Sequence, residues 1–496
     1  MSVDRVMKDD FGFRGGWGLR VFSASGVGGL LKDSMVYGMG NSAHVLLNVI
    51  LLPLLTRLFS PPQYGIIELI NTTMVILAVI MGFRFDGAMA RYYYEGRKKA
   101  ASTCLYSLLT MSTAITVVLL LAAEPLQRAI RIPPEYLGTL QVALLSVPLQ
   151  VLTGHFLMVM RLERRAVATS VILVAKTLVT LLACFVFLVW LRTGIVGLFL
   201  ARIVGETVAS IIGFTVLRQF YIPFISVDLL KKFLLFSLAV PASIMGVFMI
   251  HIDKYFLAYY WTAADVGFFG VGVKISMVVW LLIYSFRQAW LPYAVSIMQH
   301  EDAPAIYANI TRVFVATTLL LSLGLALFVE PIINIVAGPA YAVAAPTVGL
   351  LLAGHVVLGM GNLMGIGLFI REKPHYHNIS SSIGLAVAIG LNVLLVPRYG
   401  FLGAAWAYFV SRLVVASLTW VIASHQYPVR YPITALYGMV FLFVGTIVAL
   451  QQITLGIHGK LALLVVAGLV VARVEMKHLK ALVLQTSAQP VPEGIR

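Results

Sequence analysis

Cationic side chains recur in stretches that are otherwise apolar. Lys176, Arg202, Lys254, Lys274 and Arg287 fall inside hydrophobic runs, and Arg84 and Arg91 sit at the end of another. A charge at mid-depth in a bilayer costs at least about 2.5–3.5 kcal/mol on insertion scales, so each needs a compensating role. In a cavity shielded from water, Lys and Arg attract phosphate strongly, and the Arg fork can hold its oxygens bidentately. Lining a path for an anionic, phosphate-bearing substrate is the chemistry this set suits. Asp86, Glu206, His251 and Asp253 are of types that take up H⁺ or Na⁺, which makes them candidates for ion coupling. No nucleophile–base motif, Walker loop or His/Cys ligand cluster accompanies them. Neither an enzyme nor a metal or organic cofactor is therefore expected.

Spacing sorts these residues. Lys176 and Glu206 lie about 16 and 14 residues either side of Arg192, so on antiparallel helices they reach similar depth. Arg202 precedes Glu206 by one helical turn and could join them. His251 and Lys254 share a helix face at i, i+3, while Asp253 points elsewhere. Lys274 reaches a similar depth on the next run, and Arg287 points to another sector nearer the far end. Two accounts stay open: a cationic path between helices, or internal ion pairs with snorkelling at helix ends. Trp280, Tyr284 and Trp290 could stack on sugar faces or simply pack between helices.

The elements that position these groups are apolar runs of membrane length. The chain is 60% hydrophobic and only 11% charged, with a mean hydropathy of +0.94. A spanning helix needs roughly 20 apolar residues, and continuous rather than alternating runs favour helices over a barrel. Fourteen spans are expected, near 34–56, 65–83, 103–123, 137–160, 166–190, 194–217, 233–260, 265–298, 305–329, 340–370, 378–396, 400–423, 432–451 and 460–474. Residues 1–33 read as a cytoplasmic tail without a cleavable signal, and 476–496 as a second one. The net charge of +16 could suggest a nucleic-acid partner. However, Arg97-Lys98-Lys99, Arg161/Arg164/Arg165, Lys231-Lys232 and Arg473/Lys477/Lys480 all fall on one side. That is the positive-inside pattern, with both termini cytoplasmic and no nucleic acid implied. Cys104 and Cys184 read as buried thiols.

The sequence also repeats itself. LFSPPQYGIIELI turns at Gly65, and YYWTAADVGFFGVGV does the same around Gly267, 202 residues later. Arg84 and Asp86 correspond to Arg287 and Gln288; Arg192, Gly194 and Gly197 correspond to Arg398, Gly400 and Gly403. Three matches in register predict an all-α membrane protein of two six-helix lobes, 34–217 and 233–423. A cytoplasmic linker, 218–232, joins them, and two additional helices lie within 424–475. Parallel repeats imply a pseudo-two-fold axis along the membrane normal and a path between the lobes. Pro241, Pro292 and the GMGNLMGIG run at 359–367 interrupt spans and are hinge candidates; Gly361 and Gly365 equally fit close helix packing.

These stretches resemble the polysaccharide transporter family, the O-antigen and oligosaccharide-lipid flippases of the multidrug/oligosaccharidyl-lipid/polysaccharide exporter superfamily. LLTRLFSPPQYGIIELI (54–70), DGAMARYYYEG (86–96), the segment 233–275 and FRQAWLPYAVSIM (286–298) carry the likeness. The resemblance implies a 12-span core plus two helices. It also implies transfer of an undecaprenyl-pyrophosphate-linked glycan from the inner to the outer leaflet of the bacterial inner membrane, for O-antigen, capsule or exopolysaccharide synthesis. Glycan polymerases or glycosyltransferases would be its partner enzymes and membrane lipid its surroundings. The competing readings are a drug/cation antiporter of the same superfamily and an intramembrane glycan polymerase or glycosyltransferase. The first would favour acidic residues in the N-terminal lobe; the second would carry a long external loop or a membrane-edge acidic motif.

Overall fold

Two capping motifs start the helices that matter most. At Ser60, the backbone N–H and the hydroxyl both donate to Gln63 Oε1, at 3.1 and 3.2 Å, and Pro61 opens α1 (Pro61–Met81). At Thr262, the N–H and hydroxyl donate to Asp265 Oδ2, at 3.1 and 2.5 Å, and α9 (Ala263–Ser296) follows. Each motif satisfies donors that a helix start would otherwise leave open. Both helices thus begin before Gly65 and Gly267, which lie one turn inside rather than at the turns the sequence suggested.

The computed structural model describes residues 50–238, 242–371, 373, 375–453 and 456–487. The N-terminal tail, most of the first expected span, Pro241 and the last nine residues lie outside these. After α1 come α2 (Phe85–Tyr92), α3 (Arg97–Leu121), α4 (Leu137–Leu162), α5 (Ala166–Cys184) and α6 (Ile195–Leu217). The second half holds α7 (Val227–Leu238), α8 (Ala242–Tyr260), α9, α10 (Ala303–Leu327), α11 (Ala345–Met364), α12 (His375–Gln426), α13 (Ile433–Leu450) and α14 (Ile457–Ser487). Among the described residues, eleven helical segments are long and apolar enough to cross a membrane. This is an all-helical, multi-pass membrane protein. One of the eleven lies within α12, which bends at Gly400 (φ 55°, ψ −135°). Gly194 takes nearly the same conformation (φ 68°, ψ −152°) just before α6, a region of backbone space that favours glycine.

Within the first half, α4 packs along α6, α5 along α6 and α3 along α4; within the second, α11 and α8 both pack along α12. The halves meet chiefly where α1 lies against α9 and α8. One hydrophobic core runs through both, from Leu51 to Ile447. Apolar residues left exposed, such as Trp190, Leu442 and Leu469, are those a bilayer would cover, because lipid is as apolar as they are.

The hinge candidates fare differently. α9 continues through Pro292. The proline lies in the last turns, where the lost N–H and the clash with the preceding turn disturb little helix. α11 stops at Met364, and Gly361 sits where a Cβ would come within 2.9 Å of Ala416 Cα, so this glycine serves close packing. At the far end, Arg312 Nε donates to both oxygens of Glu475 at 3.0 Å, fastening α14 to α10.

Candidate functional site

A buried polar cluster straddles the seam between the halves. Two turns into α1, Glu68 is 3% exposed. Its Oε2 accepts from Lys254 Nζ of α8 at 2.5 Å, and its Oε1 lies 2.7 Å from Lys274 Nζ of α9. Tyr64 adds its hydroxyl to Oε1 at 3.0 Å, and Lys274 also lies over the Tyr64 ring, 5.3 Å from its centre. One carboxylate of the first half therefore holds two ammonium groups of the second. The cluster carries a net positive charge, and Arg202 and His251 lie within electrostatic reach of Glu68. Buried ions of this kind are stable only when fully paired, so removing Glu68 would leave two charges uncompensated.

Small residues let the helices come this close. A Cβ on Gly65 would overlap the carbonyl of Ala263, and one on Gly267 would approach the Pro61 carbonyl at 2.5 Å. Gly270 faces the Glu68 side chain, its notional Cβ 2.8 Å from Glu68 Cγ. Beyond them, toward the helix starts, aromatic rings cover the seam. Tyr341 packs edge-on against Tyr64 and Phe268, at 5.8 and 6.2 Å. Its hydroxyl donates to the Phe59 carbonyl at 3.0 Å. Thr73 and Tyr255 share a hydrogen bond of 2.9 Å across the same interface. The seam is sealed at the Pro61/Ala263 end.

Residues 30–298 match the family described as polysaccharide biosynthesis protein, more than half of the chain. The chain belongs to that family. Two curated relatives from Haemophilus influenzae are similar over 53% of this chain: an "uncharacterized membrane protein", 23% identical over 276 residues, and "Lsg locus putative protein 1", 21% identical over 281. The chain spans 65% of the length of each of these relatives. The fold resembles that of the lipid II flippase MurJ in its inward closed conformation, with a TM-score of 0.71 at 12% identity over 92% of this chain and all of that one. It is also like the Vibrio cholerae MATE transporter VcmN, with a TM-score of 0.58 at 15% identity over 83% of this chain and 98% of that one. A MOP superfamily transporter from Pyrococcus furiosus gives 0.61 at 17% identity, over 84% of this chain and 97% of that one.

In this polysaccharide biosynthesis family member, the other sequence-derived candidates separate into local groups. Lys176 Nζ pairs with Glu206 Oε1 at 2.5 Å between α5 and α6, in keeping with the similar depth that their spacing from Arg192 gives them. Arg202 stays out of that pair and lies over the Phe199 ring at 5.8 Å. Asp253, 1% exposed, turns away from the seam as its helix position requires. Its Oδ1 accepts from Asn392 Nδ2 at 2.7 Å, while Oδ2 is buried without a hydrogen-bond partner. Arg412 stacks over Tyr408 at 4.8 Å nearby. Arg84 and Asp86 border a cavity inside the first half, Arg91 lies over the Tyr92 ring at 5.7 Å, and Arg287 is exposed on α9. Trp290 is buried among Phe286, Tyr293 and Tyr307, which makes it a packing residue.

Glu68 and Asn392 are the site residues that sequence reasoning passed over. With its span started at Gly65, Glu68 reads as a helix-end carboxylate. The Ser60–Gln63 cap was the signal that places it two turns deep. Asn392 carries no charge and pairs across 139 residues, so no local pattern marks it.

Proposed function

We propose that this protein is a flippase that carries an anionic undecaprenyl-pyrophosphate-linked oligosaccharide from the cytoplasmic to the outer leaflet of the bacterial inner membrane, by alternating access, for surface polysaccharide synthesis. The observation that carries the reading is the clamp of Glu68 on Lys254 and Lys274. Two lysines from one half are held by a carboxylate of the other, where α1 packs against both α8 and α9. An incoming pyrophosphate offers more negative charge and more acceptor oxygens than one carboxylate, so it competes with Glu68 for both ammonium groups. Once the lysines turn to the phosphate, the two halves lose their ionic tie and can part at that end. The prenyl chain stays in lipid while the charged head and sugars pass between the halves.

On the positive-inside orientation, the sealed Pro61/Ala263 end faces outward, so this conformation is closed to the outside. The reading includes fourteen spans, two six-helix lobes related by a pseudo-two-fold axis, two additional helices and cytoplasmic termini. The reciprocal contacts of Gly65 and Gly267, the paired caps at Ser60 and Thr262 and the like conformations of Gly194 and Gly400 support that symmetry. A net positive seam also disfavours a cationic drug as cargo.

Replacing Lys254, Lys274 or Arg287 by Ala is expected to abolish surface glycan export at unchanged membrane abundance; normal export by all three variants would remove the cationic path. We assign ion coupling to Asp253, whose Oδ2 is buried and unpartnered, ahead of Glu206, which is tied to Lys176. Asp253→Asn is expected to make translocation insensitive to separate collapse of ΔpH and ΔΨ in vesicles. A variant that responds to both collapses as the parent does would exclude that role.

A further inference from the structure

A second cavity, away from the seam, lies within the first half between α1, α2, α3 and α4, with a volume of about 320 Å³. That is near the lower end of small-molecule sites, about 300–1,000 Å³. Arg84, Asp86 and Arg161 border it, and Gln150, His155 and Cys104 line it further in. Three features mark it as built rather than left over. First, Phe83 and Arg84 both adopt left-handed backbone, at φ 46° and 54°. Two successive non-glycine residues in that region cost energy that only a surrounding constraint maintains. This turn ends α1 and sets Arg84 at the cavity, where its Nε is buried with no hydrogen-bond partner. Second, His155 is 3% exposed; its Nε2 is engaged by the Tyr221 hydroxyl at 3.2 Å, yet its Nδ1 is buried and unpartnered. Third, no ion pair within 4 Å joins Asp86 to either arginine among the described residues, so both guanidinium groups keep donors available.

From this arrangement we infer that the first-half cavity binds a phosphate-bearing saccharide, its phosphate on Arg84 and Arg161 and its hydroxyl groups on Gln150 and His155 Nδ1. Arg forks match phosphate oxygens. A neutral imidazole nitrogen and an amide are suited to sugar hydroxyls. His155 Nδ1, buried and unpartnered, calls for a partner, and Gln150 Nε2 is held only by a long bond to Ser146 Oγ, at 3.4 Å. Asp86 at the rim accepts only, so it can bond a hydroxyl but repels a second phosphate. The sugar phosphate can arrive either as a free metabolite or as the head of a prenyl lipid. This inference does not depend on the seam clamp, since the cavity shares only α1 with it, none of the clamp residues line the cavity, and its test reads binding rather than export.

The test is protection of an introduced thiol. An added Cβ at Gly154, on the cavity wall, meets nothing within 4 Å, so Gly154→Cys is accommodated. It would be made with Cys104→Ala and Cys184→Ala in the full chain and held in nanodiscs. Labelling by N-ethylmaleimide is then timed with glucose 1-phosphate, with glucose phosphate on a polyprenyl chain in the nanodisc, with glucose, and with inorganic phosphate. At least tenfold slowing by glucose 1-phosphate identifies a free sugar phosphate as ligand; slowing only by the polyprenyl form identifies a lipid headgroup. Either supports the inference, provided that Arg161→Gln, an exposed position that leaves the strained turn intact, loses the protection. Arg84→Gln and Gln150→Leu should weaken it as well. Equal slowing by glucose or by inorganic phosphate, no slowing by either sugar phosphate, or full protection retained in Arg161→Gln would overturn it.

Discussion

Glu68→Gln is expected to part the two halves at their sealed end and to stop glycan export. In the closed seam, Lys254 and Lys274 are buried against this one carboxylate. Breaking a buried ion pair from one side costs about 3–5 kcal/mol, because the remaining charge has no compensation. When the seam opens, water reaches both ammonium groups and that cost disappears. The substitution therefore shifts the closed–open balance by roughly two to four orders of magnitude toward open, since about 1.4 kcal/mol is tenfold. Spin labels at Leu58 and Val343, exposed on opposite halves near that end, would report the change as a longer distance. A triple variant, Glu68→Gln with Lys254→Met and Lys274→Met, removes all three charges. It should return the short distance without returning export, because a neutral seam closes but no longer attracts an anion. A Glu68→Gln protein that keeps the parent distance would show that the clamp does not hold the halves together.

Gly65→Ala and Gly267→Ala are expected to have comparably large effects through shape alone. Each added methyl would meet a backbone carbonyl of the opposing helix, Ala263 or Pro61 respectively. A carbonyl inside a helix cannot swing aside as a side chain can, and overpacking of a tight contact costs typically 1–3 kcal/mol, occasionally more. The helices must separate, which also pulls Glu68 from its lysines. Both variants should insert and accumulate normally, since neither alters the hydrophobicity of its span. They should fail in export, with the Leu58–Val343 distance lengthened. Normal export from either would mean that α1 and α9 need not approach this closely at any stage of the cycle.

Different parts of this molecule were legible in the sequence for different reasons. The spans follow from uninterrupted apolar runs, because a bilayer imposes one length scale on every helix. The Lys176–Glu206 pair was readable because two antiparallel helices share one turn, and counting from Arg192 fixes relative depth. The face separation of Asp253 from Lys254 follows from helical geometry alone, and the structure bears it out in their different partners. Glu68 was not legible as a site residue. Its partners lie 186 and 206 residues away on two other helices, and helix–helix register across a seam is set by packing of small residues, which periodicity does not report. The inner cavity was hidden for a related reason. It depends on a left-handed turn at Phe83 and Arg84, and no glycine or asparagine in those two positions announces one.

The most direct measurement is transfer of a fluorescent undecaprenyl-pyrophosphate-linked oligosaccharide between leaflets of proteoliposomes containing the purified full-length protein. The parent protein should expose the lipid to a membrane-impermeant quencher within the assay, and Lys254→Ala and Lys274→Ala should reduce that rate to the protein-free level. Transfer by either lysine variant at the parent rate, or none by the parent under any imposed gradient, would contradict a seam in which Glu68 yields its lysines to a lipid pyrophosphate.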